Sequence, residues 1–318
     1  MQTQIIEFLK KNEAYISGEE ISQSLKISRA AIWKYMQELR QLGYDIVAVP
    51  HLGYKLISSP DKLFPHEIQH ALGTKVFGKK IIYEDTVSST MDVAFRLALE
   101  KAAEGTVVCA EGQTKGRGRL GRTWTSPKAK GICMSIVLRP KLSPLEVAKL
   151  TLLAAVAVSQ ALKKITGLQP LIKWPNDLLV KGKKIAGILT ELSAETDRVK
   201  FVIVGIGLNV NSALNSLPPG ATSLKEETQE EHSRIKIFQE ILREMEQWYL
   251  HVAQEGFFSV VQRWKELSVT LNQRVRVSDA NGFVEGLAVD LDNDGGLLIR
   301  KDSGLIVKKM AGDVMQAH

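Results

Sequence analysis

The run Ser58-Ser59-Pro60-Asp61 divides the sequence into two parts of very different size. Proline cannot continue a helical ladder, and small polar residues favour turns, so neither the 3.6-residue nor the 2-residue apolar period carries across it. The chain must therefore fold as a small N-terminal module followed by a larger body. Its 318 residues, at roughly 150 per domain, agree with two domains, or three if one is small.

Before the break, Ile5, Ile6, Phe8 and Leu9 recur at helical spacing over residues 2–11. Ser17, with Glu20 three residues on, makes a capping box that opens a second helix through Leu25, and Lys26-Ile27 interrupts it. Ser28 can cap a third helix to about Leu42, with Ile32, Met36 and Leu39 on one face and Arg29, Lys34 and Arg40 outside; Gly43 ends it. Residues 44–49 and 54–57 alternate, and Pro50-His51-Leu52-Gly53 joins them as a hairpin turn. Three helices and a hairpin make a winged helix-turn-helix.

Ser28, Arg29, Ala30 and Ala31 would face a major groove, the alanines permitting close approach, with Lys34 and the wing residue Lys55 reaching phosphates. Seven basic against six acidic side chains in the first sixty residues also suit a helical protein-interaction module. Weak charge favours a dimer reading two half-sites over a lone DNA-binding monomer.

The longest apolar run, residues 150–158, is half of the ~18 needed to cross a bilayer. Residues 1–12 lack a basic-then-apolar signal pattern. Cys109 and Cys133 alone make no disulfide framework or cysteine-rich zinc site; they read as two reduced, buried thiols, and a cytoplasmic address with no membrane partner is expected. With 44% hydrophobic and 24% charged residues, the chain can build sizeable cores.

After residue 62, strand-like runs at 80–83, 106–110, 132–138, 171–173, 184–192 and 201–210 alternate with helical ones at 90–103, 144–165 and 235–254. That is a mixed α/β body. The whole chain's net charge of +7 is concentrated here: from Gln113 through Lys141 there is no carboxylate but eight lysines and arginines. Within that stretch Gly116-Arg117-Gly118-Arg119-Leu120-Gly121-Arg122 formally matches G-x-G-x-x-G. A dinucleotide fingerprint should open a helix and meet an acid about 20 residues on; here Trp124, Thr125, Ser126 and Pro127 follow, and no acid occurs before Glu146. A Walker loop fails as well, because no Gly-Lys-Ser/Thr closes the run. What remains is a glycine-loosened strip whose arginines can clamp carboxylate or phosphate oxygens, or a basic nucleic-acid arm. Trp124 and the apolar strand beyond it favour a loop that orders over a ligand.

Two further clusters accompany it. Lys173-Trp174-Pro175-Asn176-Asp177 precedes Lys184-Ile185-Ala186-Gly187, and a turn at 180–183 would bring Asp177 and Lys184 together across a hairpin. Such a pair is either a structural ion pair or, beside an arginine clamp, a means of neutralising charge on a transferring phosphoryl group. Gly205 and Gly207, before Asn209, bare a strand where a flat ligand could lie or sheets could cross tightly. From Thr270 to Met310, short alternating runs separated by Ala280-Asn281-Gly282 and Asp292-Asn293-Asp294-Gly295-Gly296 read as a small β-barrel.

Together with Ser28-Arg29-Ala30-Ala31-Ile32, Ser89-Thr90 and Ala221-Thr222-Ser223-Leu224, these motifs resemble the bifunctional biotin protein ligase and biotin operon repressor family over essentially the whole chain. The resemblance implies an α+β multidomain protein. It would have a winged helix-turn-helix at 1–60, a mixed α/β ligase core like class II aminoacyl-tRNA synthetases at 63–267, and an SH3-like β-barrel at 268–318. It implies that biotin and ATP, with Mg2+ shielding the triphosphate, give biotinyl-5′-AMP, from which a lysine of a biotin carboxyl carrier protein takes biotin. No metal ligands are identifiable in the sequence.

By motif, Ser89, Thr90, Met91 and Gln113 would hold the biotin rings along the Gly187, Gly205 and Gly207 floor. Arg117, Gly118 and Arg119 would close over carboxylate and α-phosphate, with Lys184 between them. Arg122 would meet phosphates, Trp124 and Asn209 the adenine, and Asp177 the incoming lysine. The catalytic set would be Lys184, Arg119 and Asp177. The adenylate would order the loop and promote a homodimer that binds operator DNA as an inverted repeat. Leu120 stands where the family loop usually has another arginine, leaving one charge fewer in the clamp; Met91 stands where asparagine commonly follows Ser-Thr and alters the ring contacts.

Overall fold

The computed structural model describes the chain except residues 13, 126, 196–197, 280–281 and 317–318. Two compact units emerge, Met1–Lys62 and Leu63–His318. In the first, α1 (Gln2–Lys11), α2 (Gly18–Leu25) and α3 (Arg29–Gln41) bury Ile5, Ile6, Leu9, Ile21, Ile32, Met36 and Leu39. The Ser17 and Ser28 oxygens accept from the backbone N–H of Glu20 and Ala31, satisfying helix-start donors. β1 (Asp45–Val49) and β2 (Gly53–Ser58) pair antiparallel as the wing. Arg40, expected on the solvent face, is half-buried, and its guanidinium donates twice to the Ile46 carbonyl at 2.9 and 2.7 Å, tying α3 to the wing.

The second unit opens with α4 (Pro65–Gln69), β3 (Ile81–Glu84), α5 (Thr90–Leu99), β4 (Val107–Ala110) and β5 (Gly131–Leu138). It continues with α6 (Ala148–Thr166), β6 (Leu171–Lys173), β7 (Asp177–Val180), β8 (Lys183–Glu195) and β9 (Arg198–Asn209). α7 (Leu224–Thr228), α8 (Arg234–Glu255) and α9 (Phe258–Leu267) follow. Seven strands form one sheet in the order β3-β4-β5-β9-β8-β7-β6, with β3 parallel to β4 and every other neighbour antiparallel. The core of α6, α8 and α9 includes Leu153, Val156, Phe238 and Trp264. A separate cluster joins Met91, Val93, Ala94 and Ala98 of α5 to Val108, Val137, Phe201 and Ile203. Alternating strand residues thus feed two cores.

α5 stops at Leu99 instead of running to 103, because Lys101 turns left-handed at φ 62° and the Ala102 N–H closes back on Leu97 O. α9, unanticipated from the sequence, buries Val260, Trp264 and Leu267. The segment Pro144–Thr166 is the one helix among the described residues long and apolar enough to cross a membrane; 72% of its apolar window is buried in the fold.

Five C-terminal strands, β10 (Arg274–Asp279), β11 (Gly282–Leu291), β12 (Leu297–Arg300), β13 (Ile306–Lys309) and β14 (Asp313–Gln316), form an antiparallel sheet ordered β13-β12-β11-β10-β14. Among the described residues its ladder does not close β13 on β14, so hydrogen bonding gives a sheet, not the expected closed barrel. Ala280 and Asn281 of the expected turn lie outside the described residues, as does Ser126. The sheet shares its core with the rest of this unit: Val275, Leu297 and Ile299 join the main cluster, and the Trp174 indole Nε1 donates to Gly295 O at 3.2 Å. That docking brings β14 beside the Gly116–Arg122 segment, where Asp313 pairs with Arg122.

Candidate active site

The start of α5 makes one wall. Ser89 is fully buried and caps the helix, its oxygen accepting from Met91 N at 3.3 Å. The Thr90 N–H and hydroxyl both donate to Gln113 Oε1, at 2.8 and 3.1 Å, and Ser135 Oγ donates to Thr90 at 2.9 Å. A buried polar chain of this kind fixes side-chain directions before any ligand arrives.

The Gly116–Arg122 strip folds on itself as a lobe. Gly118 N–H donates to Arg122 O at 2.7 Å and Trp124 N–H to Gly116 O at 2.9 Å, around a turn in which Leu120 (φ 55°) and Gly121 (φ 73°) are left-handed. Gly116 is required there, since a Cβ would sit 2.4 Å from Trp124 O. Its three guanidinium groups go to different partners. Arg117 lies 3.0 Å from Asp92 and 2.9 Å from Glu191, and the exposed Arg122 pairs with Asp313. Arg119 donates to Asn176 Oδ1 at 3.1 Å and to Gly312 O at 3.3 Å. Burial lowers the Arg119 pKa, against the pull of Asp313 and Asp177. The C-terminal strand therefore completes the surroundings of the lobe.

Lys184 and Asp177 meet at 2.6 Å across the β7–β8 hairpin. A register shift between Leu178 and Leu179 puts Lys184 opposite Leu179 and Asp177 opposite Gly187, so a bulge, not a direct cross-strand pair, brings them together. The Lys184 ammonium also lies 5.7 Å from the Trp124 ring centroid, within cation–π range. Below it the bare strands are occupied by the protein itself: a Cβ on Gly207 would meet Trp124 Cε2 at 2.4 Å, and one on Gly205 would meet Met91 Sδ at 2.5 Å. The glycines make room for two side chains, where the sequence suggested a flat ligand or a sheet crossing.

Two cavities meet at this point. The larger, about 520 Å³, is lined by Ser89, Thr90, Met91, Gln113, Arg117, Gly118, Arg119, Arg122, Gly187, Gly205 and Gly207 together with Trp124, Asp177 and Lys184. The smaller, about 350 Å³, shares Trp124, Asp177 and Lys184 and adds Asn209 and the 218–221 loop. Asn209 alone among the expected ligand contacts falls outside the large cavity, and its amide donates to Thr222 O at 3.0 Å. Lys184 N–H and C=O bond Gly220 O and Thr222 N, pinning that loop to the hairpin. The indole and the ammonium thus stand as a partition between two compartments.

Asp92, Asn176, Glu191, Gly312 and Asp313 escaped the sequence reading. Only Asn176 lay inside a noted motif; Gly312 and Asp313 lie some 190 residues from their arginines, a distance no local pattern spans. In the first unit Arg29, Ala30 and Lys34 are exposed, Ser28 Oγ is occupied by its cap, and Lys55 is half-buried with its ammonium 5.9 Å from the Tyr15 ring.

The biotin/lipoate A/B protein ligase family matches residues 83–209, a helix-turn-helix domain residues 1–55, and the biotin protein ligase C-terminal domain residues 270–315. The bifunctional ligase/repressor BirA of Bacillus subtilis is 42% identical over 302 residues, covering 94% of this chain and 93% of that protein. The chain belongs to this ligase family. BirA of Escherichia coli is 29% identical over 96% of the chain and 94% of its own length. A biotin protein ligase from Aquifex aeolicus, solved with biotin and ATP, superposes with a TM-score of 0.66 at 31% identity over 75% of this chain and all of that one.

Proposed function

We propose that this protein is an ATP-dependent biotin protein ligase and a biotin-responsive transcriptional repressor, as the names of its full-length relatives describe for them. The observation that carries the reading is the pair of cavities joined at Lys184 and Trp124. Biotin would occupy the larger, its rings against Ser89, Thr90, Met91 and Gln113, and the adenosine the smaller, beside Asn209. The carboxylate and the α-phosphate then meet at the partition.

In the first half-reaction a biotin carboxylate oxygen attacks the α-phosphorus and pyrophosphate leaves. Two anions must approach, so preorganised positive charge is the main requirement. Lys184 and Arg119 supply it, with Arg117, Gly118 and Arg122 lining the same cavity. In the second, the ε-amine of a carrier lysine attacks the acyl carbon and AMP departs; Asp177, beside Lys184, receives the proton or orients the amine. Mg2+ would arrive with the triphosphate, its ligands mostly water and phosphate. No group of three or more His, Cys, Asp or Glu among the described residues is arranged for a metal.

The domain division at 60–63 and 267–268, a core related to class II synthetases, an SH3-like C-terminal module and a cytoplasmic address belong to the same reading. So does a homodimer, promoted by biotinyl-5′-AMP, whose two helix-turn-helix modules bind an inverted repeat. Transfer of labelled biotin to a biotin carboxyl carrier protein, dependent on ATP, tests the ligase half. Titration of promoter DNA with and without biotin and ATP tests the repressor half. No labelled carrier in the first, or identical binding in the second, would overturn the respective half.

A further inference from the structure

Trp33 is the anomaly of the N-terminal unit. It is 61% exposed in the middle of α3, whereas tryptophan is normally highly buried because its ring removes so much apolar surface from water. The core does not need it: Ile32, Met36 and Leu39 already anchor the helix. Counting three and four residues along α3, Trp33 shares its outward face with exposed Arg29 and Ala30 and half-buried Gln37. Among the described residues its indole makes no hydrogen bond and no ring contact.

The chemistry of that face selects one partner. Arg29 and Lys34 are exposed cations, and Lys26 precedes the helix; the only acid within α3, Glu38, accepts from the Gln2 amide at 2.6 Å. Ala30 offers no bulk one turn before Trp33, so a surface can approach the helix closely there. Gln37, one turn after, carries the amide that pairs bidentately with adenine edges. An exposed aromatic between a cation for phosphate and an amide for adenine matches a major groove, where thymine alone presents a methyl group.

We infer that Trp33 is a sequence-reading residue of the DNA complex, its indole packing on the methyl group of a thymine in each half-site, beside an adenine taken by Gln37. The inference rests on the repressor reading and goes beyond it by naming what is read and by which side chain. Arg29 and Lys34 then contribute affinity without discrimination, and Trp33 contributes discrimination.

The test uses the full chain with biotin and ATP and a duplex that the wild type selects from a random library. Binding is measured for wild type, Trp33→Ala and Trp33→Phe, on that duplex and on copies with each thymine replaced by deoxyuridine, which removes only the methyl. Wild type is expected to lose about tenfold at one thymine per half-site. Trp33→Ala should be weakened by a similar factor, be indifferent to that methyl, and keep wild-type binding to random duplex and wild-type biotin transfer. Trp33→Phe should recover part of the methyl dependence.

Retention of full affinity and methyl dependence by Trp33→Ala would overturn the inference while leaving the repressor reading intact. Loss of dimerisation with methyl dependence kept would assign Trp33 to a protein interface and also overturn it. Failure of the wild type to select any sequence would remove both.

Discussion

Gly207→Ala adds one methyl group where the Trp124 indole rests on the sheet. The new carbon would lie 2.4 Å from Trp124 Cε2, 2.7 Å from Nε1 and 2.9 Å from Cδ2, against about 3.5–4.0 Å for comfortable contact. β9 cannot give way, because Gly207 is paired with Cys133 of β5 on one side and Gly187 of β8 on the other. The ring must therefore lift by about 1 Å. Trp124 is half-buried at a cavity wall, not in the core. Lifting it forfeits the contact with Lys184, worth about 0.5–1 kcal/mol, and some packing, so the fold should lose roughly 1–2 kcal/mol. The reaction should suffer more, since a displacement of about 1 Å at the meeting point of two reactants can lower the rate on the order of a hundredfold. Biotin-dependent ATP–pyrophosphate exchange and thermal melting read the two effects separately. Gly205→Ala is the control: its carbon meets Met91 Sδ at 2.5 Å, the end of an unbranched chain that can swing aside, so its loss should be smaller. Wild-type exchange by Gly207→Ala would refute the partition.

Glu111→Gln should lower unfolding free energy in urea by about 3–5 kcal/mol. The carboxylate and Arg234 form an ion pair at 2.7 Å with side chains 2% and 1% exposed, and the same carboxylate accepts the Leu63 N–H at 2.8 Å. A loss under about 1 kcal/mol would show that this buried pair does not hold Leu63 and Arg234 in place. Glu146 closes the cap before α6, and its pKa is lowered by the Ser143 backbone N–H first and by Lys149 next. A depressed carboxylate stabilises fully above its unfolded pKa and loses that contribution as pH falls through the folded value. Melting of Glu146→Gln should therefore fall below wild type at neutral pH and converge with it in acid; a difference independent of pH would contradict this.

Much of this architecture was readable from local signals. The Ser17 and Ser28 caps, the period of Ile32, Met36 and Leu39, and the turn at 180–183 are written in adjacent residues, where side chain and backbone compete over a few ångströms. The cluster that lines the large cavity was readable for the same reason, motif by motif. Arg117 and Arg122, expected to face ligand oxygens, have carboxylate partners on α5, β8 and β14. Those pairings depend on how separate elements dock. The contact of Trp124 with Gly207 similarly joins a loop to a strand more than eighty residues away, and periodicity holds no record of it. Trp33 carries no local signal of its own, since an aromatic in an amphipathic helix ordinarily belongs to the core; only its exposure sets it apart.

The proposed reaction needs positive charge where carboxylate and phosphate would meet, and Lys184 is its least replaceable source: it lines both cavities and lies beside Asp177 and the Trp124 ring. The most direct measurement is biotin-dependent exchange of labelled pyrophosphate into ATP by Lys184→Ala, with saturating substrates and a melting curve alongside. A loss of at least about a hundredfold in exchange, with the melting temperature preserved, is predicted. Exchange at the wild-type rate would mean that the two anions combine without it, and the proposed site would be wrong.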